Sequence, residues 1–130
     1  LTVDDDLRAK EEIRTLLARY NNDVDARDPA WLDHFAPDGV LEANGRILKG
    51  RAQLEAFLAE LGAPGQGIVR HFGLNEVIDV QGDNATMRCA FLVRVRRRDG
   101  TEQFASGTYD DVLQRTDGRW HFVRRTARPD

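Results

Sequence analysis

Near the N-terminus, apolar residues recur at the helical period. Ile13, Leu16, Leu17, Tyr20 and Val24 fall at i, i+3, i+4, i+7 and i+11, one stripe along one face. Asp4, Asp5 and Asp6 stand near its start, where carboxylates suit the positive end of the helix dipole. The stripe stops before Arg27-Asp28-Pro29, because the residue before a proline disfavours the helical conformation. A short second helix is expected around Trp31, Leu32 and Phe35, closed by a turn at Pro37-Asp38-Gly39. Val40-Leu41-Glu42-Ala43 and Arg46-Ile47-Leu48 flank Asn44-Gly45, the dipeptide that favours tight hairpins. From Gly50 a third helix carries Leu54, Phe57, Leu58 and Leu61 on one side.

The segment Gly62-Ala63-Pro64-Gly65-Gln66-Gly67 concentrates breakers and reads as a loop. Beyond it the period changes to two. Four strands are expected, from Ile68 to Val80, Ala85 to Arg97, Glu102 to Gln114 and Arg119 to Thr126. Gly beside Asp in the intervening turns makes them an antiparallel meander. In the second of these strands, Ala85, Met87, Cys89, Phe91, Val93 and Val95 share an apolar face. Thr86, Arg88, Ala90, Leu92, Arg94 and Arg96 share a mixed one, suited to solvent or to a subunit interface. Helices followed by strands define an α+β fold. A long curved antiparallel sheet wrapped by N-terminal helices makes a cone, and a pocket between the two layers is a natural small-molecule site.

Length and charge narrow the picture. The 130 residues suit one domain, 1–130. With Lys+Arg at 19 and Asp+Glu at 22, the formal charge of −3 argues against a general nucleic-acid partner. No apolar run approaches the roughly 20 residues that span a bilayer. The acidic opening is unlike a basic secretory leader, and the single cysteine, Cys89, excludes a disulfide scaffold. A cytoplasmic setting is the expectation.

Chemistry depends on which polar groups face the pocket. His71 shares its strand face with Val69, Gly73, Asn75 and Val77, and Gly73 is expected to leave space beside the imidazole. The first helix ends in Asp23-Val24-Asp25. At about 100° per residue, Asp23 lies roughly 80° and Asp25 roughly 120° from the centre of the apolar stripe, so angle alone favours Asp23 as the inward carboxylate. Tyr20 sits in mid-stripe, where its hydroxyl needs a partner or serves as a donor. Tyr109, Trp120 and one each of Asp110/Asp111 and Arg124/Arg125 are expected to line or close the sheet. The inward arginine suits a pocket carboxylate or an anionic group. The run Arg94, Arg96, Arg97 and Arg98 reads as a solvated strand end. No metal site is expected, since His34, His71 and His121 fall on separate elements without ligand spacing. Dinucleotide, Walker and nucleophile-elbow motifs do not occur.

Several stretches resemble the SnoaL-like family of the nuclear-transport-factor-2-like superfamily. They are Ile13-Arg14 to Tyr20, Val24-Asp25-Ala26-Arg27-Asp28, Leu32 to Gly39, Arg70-His71-Phe72-Gly73, Gly107 to Asp111 and Asp117 to Arg125. The resemblance implies the α+β cone with a deep pocket. The branch containing scytalone dehydratase, bile-acid 7α-dehydratase and hexachlorocyclohexane dehydrochlorinase fits better than others. In that branch an Asp ending the first helix pairs with a His on the first long strand, which selects Asp25 and His71 and keeps Asp23 as the alternative. The dehydrochlorinase pattern also places an arginine where Arg125 stands. Implied is a cofactor-free lyase of the dehydratase type acting on a small apolar or polycyclic molecule. His71 is its general base and Asp25 orients the imidazole, while Tyr20, Arg125, Asp23, Trp31 and Tyr109 line the pocket. Isomerisation, polyketide-type cyclisation and a non-catalytic binding module are the alternatives in the same pocket. Relatives also imply a homo-oligomer, a dimer or trimer.

Overall fold

The computed structural model describes residues 2–61 and 67–130. Helix α1 spans Val3–Ala26. Thr2 caps it reciprocally with Asp5, each side chain accepting from the other's backbone N–H, at 3.1 Å and 3.4 Å. At the far end Arg27 turns left-handed, with φ of 53°, and its N–H closes on the carbonyls of Asp23 and Val24. Its Nε also donates to the Leu61 carbonyl at 2.7 Å, which ties this end of α1 to helix α2, Gly50–Leu61.

Between the two helices, Pro29–His34 forms a 3-10 helix capped by Asp28, whose carboxylate accepts from the Ala30 N–H at 2.9 Å. The expected turn at Pro37-Asp38-Gly39 is absent. Phe35 instead opens strand β1, Phe35–Ala43, which runs through those residues. Phe35 pairs with Phe122 and Val40 with Arg124, so the register slips in between. Pro37 lies in that irregular stretch, where its missing N–H leaves no ladder bond unmade. The hairpin to β2, Arg46–Lys49, turns at Asn44 and Gly45 with φ of 54° and 72°, as expected for Asn-Gly.

Strands β3 (Ile68–Gln81), β4 (Asn84–Arg96), β5 (Glu102–Thr116) and β6 (Arg119–Pro129) form the expected antiparallel meander. The sheet order is β2-β1-β6-β5-β4-β3, with β1 parallel to β6, so the sheet is mixed. The expected breaker loop lies outside the described residues except for Gly67. On β4, Ala85, Met87, Cys89 and Phe91 are buried, as alternation predicts. Helix α1 packs on the same side through Ile13, Leu16, Leu17, Tyr20 and Val24, all buried. The inner end of the cone is filled by aromatic side chains. Tyr20, Trp31, Phe35 and Phe122 meet with ring centroids 5.1–6.0 Å apart.

Gly73 on β3 does not leave the space expected beside His71. A Cβ there would stand 2.8 Å from Leu17 Cδ2, so α1 occupies that space. The bare glycine lets α1 approach β3 closely, and this brings the end of α1 over His71.

Candidate functional site

The structure joins His71 and Asp25, which are 46 positions apart in the chain. Asp25 Oδ1 lies 2.6 Å from His71 Nδ1, and the same carboxylate accepts the His71 backbone N–H at 2.9 Å and 3.2 Å. The side chains are 20% and 10% exposed. With Nδ1–H directed at the carboxylate, Nε2 carries the lone pair, and it has no hydrogen-bond partner among the described residues. Open grooves run along this flank of α1. One, of about 420 Å³, is lined by Asp25, Asn22, Arg27, Gly67, Ile68 and Val69. A second, of about 250 Å³, includes His71, Leu17, Asn21 and Gly73.

Asp23 is not the partner of His71. It lies on the opposite flank of α1, where its Oδ2 meets His34 Nε2 at 2.6 Å. The helical angle measured how far each carboxylate stood from the buried stripe but not on which side, and β3 lies on one side only. The His34–Asp23 pair escaped sequence reasoning. Its signal was present: the 3-10 helix leaves His34 eleven positions after Asp23, folded back along the same helix end.

Tyr20, Trp31, Tyr109 and Arg125 do not line the grooves beside His71. They are buried, at 4%, 0%, 6% and 0% exposure. Arg125 is the inward arginine, and it is held by the inward carboxylate, Asp111, through Nε at 3.0 Å and Nη2 at 3.2 Å. Its guanidinium lies 3.6 Å from the Tyr109 ring centroid, 4.4 Å from Tyr20 and 4.6 Å from Phe122. Its Nη1 is buried without an acceptor among the described residues. The charge expected to face a ligand is therefore largely spent on Asp111.

A bulge created this pair. From the turn outwards Thr116 faces Arg119 and Leu113 faces Phe122, a register that would set Asp111 opposite Arg124. The shift between Val112 and Leu113 moves β6 on by one residue, so Asp111 faces Arg125. Burial pushes the Asp111 carboxyl up to about 6, against the opposing pull of Arg125. Burial likewise pushes up both tyrosine hydroxyls, and the Cys89 thiol to about 11. Among the described residues, no group of three or more His, Cys, Asp or Glu side chains is arranged to hold a metal ion. No helix among them is long and apolar enough to cross a membrane.

Fold and site together define a small α+β protein: a curved sheet closed by N-terminal helices, with a histidine–carboxylate pair at the end of the first helix. The sequence matches the SnoaL-like domain family over residues 5–126, and the chain belongs to that family. Its wider group is the nuclear-transport-factor-2-like superfamily, represented among similar structures by an NTF2-like protein of Novosphingobium aromaticivorans that is 31% identical with a TM-score of 0.80, over 93% of this chain and 81% of that one. A protein of unknown function from Mycobacterium tuberculosis is 30% identical with a TM-score of 0.92, over all of this chain and 76% of that one. A Catenulispora acidiphila protein, solved in complex with S-DNPA, is 27% identical with a TM-score of 0.85, over 95% of each chain. A Novosphingobium aromaticivorans protein provisionally named a scytalone dehydratase is 24% identical with a TM-score of 0.91, over 99% of this chain and 89% of that one. That last likeness is one of fold. No curated protein matches the sequence.

Proposed function

We propose that the chain is a cofactor-independent acid–base enzyme acting on a small apolar or polycyclic molecule, most simply a lyase of the dehydratase type. One observation carries this reading: His71 is clamped at Nδ1 by Asp25, 2.6 Å away, and presents an unpartnered Nε2. In a β-elimination, Nε2 takes the proton from carbon next to an activating carbonyl. The C–H electron pair becomes the new double bond, and the β-oxygen leaves with its bonding pair. The imidazolium returns the proton to that oxygen, so water departs and the protein ends as it began. Asp25 holds the tautomer and stabilises the imidazolium meanwhile, a role worth about 10²–10⁴-fold in rate for a positioned base. A small-molecule role is supported by the Catenulispora relative, which holds S-DNPA. Isomerisation and cyclisation begin with the same proton abstraction and are the alternatives within this reading.

The test is a panel of β-hydroxycarbonyl compounds assayed with wild type, His71→Ala and Asp25→Asn. Folded but inactive His71→Ala is the expected result, with Asp25→Asn reduced by about 10²-fold or more. Full activity in His71→Ala overturns the assignment. We also infer self-association through the outer sheet face, where Phe72, Leu74 and Phe104 are 44%, 46% and 59% exposed beside Leu92, Arg94 and Arg96. Light scattering is expected to give a dimer or trimer, and a monomer at tens of micromolar would contradict it.

A further inference from the structure

The flank of α1 opposite His71 carries its own groove. Residues Arg8, Glu12 and Arg19 of α1 form one wall, and Arg119, the first residue of β6, forms the other. Leu16 and Trp120 supply apolar surface, and His34 closes one end, in a space of about 420 Å³. That volume falls in the range of about 300–1,000 Å³ typical of small-molecule pockets.

Three features mark it as a site rather than a surface crease. First, three guanidinium groups, those of Arg8, Arg19 and Arg119, line this one groove, and none of them makes an ion pair among the described residues. Second, the side chain of His34 is only 8% exposed and is locked by its 2.6 Å contact with Asp23. That contact also occupies the nearest carboxylate of the helix end. Third, Trp120 lines the groove and is only 5% exposed, so its indole is a fixed apolar wall. Of the two glutamates on the wall, Glu11 is engaged by Arg14 at 3.7 Å, which leaves Glu12 as the opposing charge against three guanidinium groups.

We propose that this groove is a second ligand site, separate from the His71–Asp25 pair, and that it binds a small organic oxyanion. Planar guanidinium forks suit the two oxygens of a carboxylate or phosphate, and Leu16 and Trp120 take the apolar body. The assignment stands whether or not His71 is catalytic.

The experiment is an amide and indole NMR titration of the whole chain with benzoate and, separately, inorganic phosphate. Expected are saturable shifts at Trp120 indole N–H, Gly118 and Arg119. Benzoate binding tighter than phosphate is the expected result, and phosphate binding as tightly as benzoate overturns the assignment of an organic ligand whose apolar body rests on Leu16 and Trp120. Arg19→Ala with Arg119→Ala is expected to weaken binding by about tenfold or more, as lost charge-assisted hydrogen bonds should. Both arginines are exposed and unpaired, so circular dichroism should show an unchanged fold. His71→Ala should leave the titration unaltered. No saturable shift with either probe up to tens of millimolar overturns the proposal. So do undiminished binding in the double variant and shifts centred on His71 and Gly73.

Discussion

Replacing Asp111 by Leu removes the carboxylate that pairs with Arg125 in the core, and the consequence can be worked out from the geometry. The pair is fully buried, with contacts of 3.0 Å and 3.2 Å. At 3.0 Å and an effective dielectric near 20, the attraction is about 5 kcal/mol. Burial nonetheless leaves the Asp111 pKa raised, at about 6. Desolvation therefore outweighs attraction for the ionised carboxylate. Leucine at 111 strands a guanidinium that cannot shed its proton, and the expected loss is about 3–5 kcal/mol. Arg125→Met strands a carboxylate that can take one up, so its penalty should shrink on acidification. The sign follows from linkage: a carboxyl whose folded pKa is raised contributes stability that is full below about 4 and lost as pH rises through about 6. Without Arg125 that window moves to higher pH. The double variant Asp111→Leu/Arg125→Met removes both desolvation costs. It forfeits the guanidinium's contacts with three rings but keeps sulfur–aromatic contact, so it should lie within about 1–2 kcal/mol of wild type. Urea unfolding followed by fluorescence of Trp31 and Trp120 at pH 5 and pH 8 measures all four corners of the cycle. Additive losses in the double variant, or a loss below about 1 kcal/mol in Asp111→Leu, would refute the reasoning.

Two further outcomes follow from the packing. Gly107→Ala places a Cβ 2.3 Å from the Arg128 carbonyl oxygen and 2.5 Å from the Phe91 ring. Backbone cannot yield as a side-chain tip can, so a loss of about 3 kcal/mol or more is expected in the same unfolding assay, and a near-neutral variant would show that β5 and β6 separate easily. Cys89 is 1% exposed and its thiol is pushed up to about 11, so it should resist a disulfide reagent at pH 8 until denaturant is added, and rapid labelling of the native chain would show that the core opens locally.

Local periodicity carried most of the architecture. The stripe from Ile13 to Val24, the Asn44-Gly45 hairpin and the alternation along β4 each needed only near neighbours, and each appears in the structure as the sequence predicts. His71 was legible too, as a polar residue on a mainly apolar strand face. The partners were not legible from the residues alone, because partnership depends on distant register. Resemblance to a family pointed to Asp25, while helical angle pointed to Asp23. Only the packing of β3 against one flank of α1, allowed by Gly73 under Leu17, shows why Asp25 reaches His71 and Asp23 reaches His34. Likewise a one-residue bulge in the β5–β6 ladder, invisible to a period of two, turned Arg125 inward onto Asp111. A chain states its own periods, but contacts between remote elements are fixed by sums of small offsets that only the folded sheet and helix reveal.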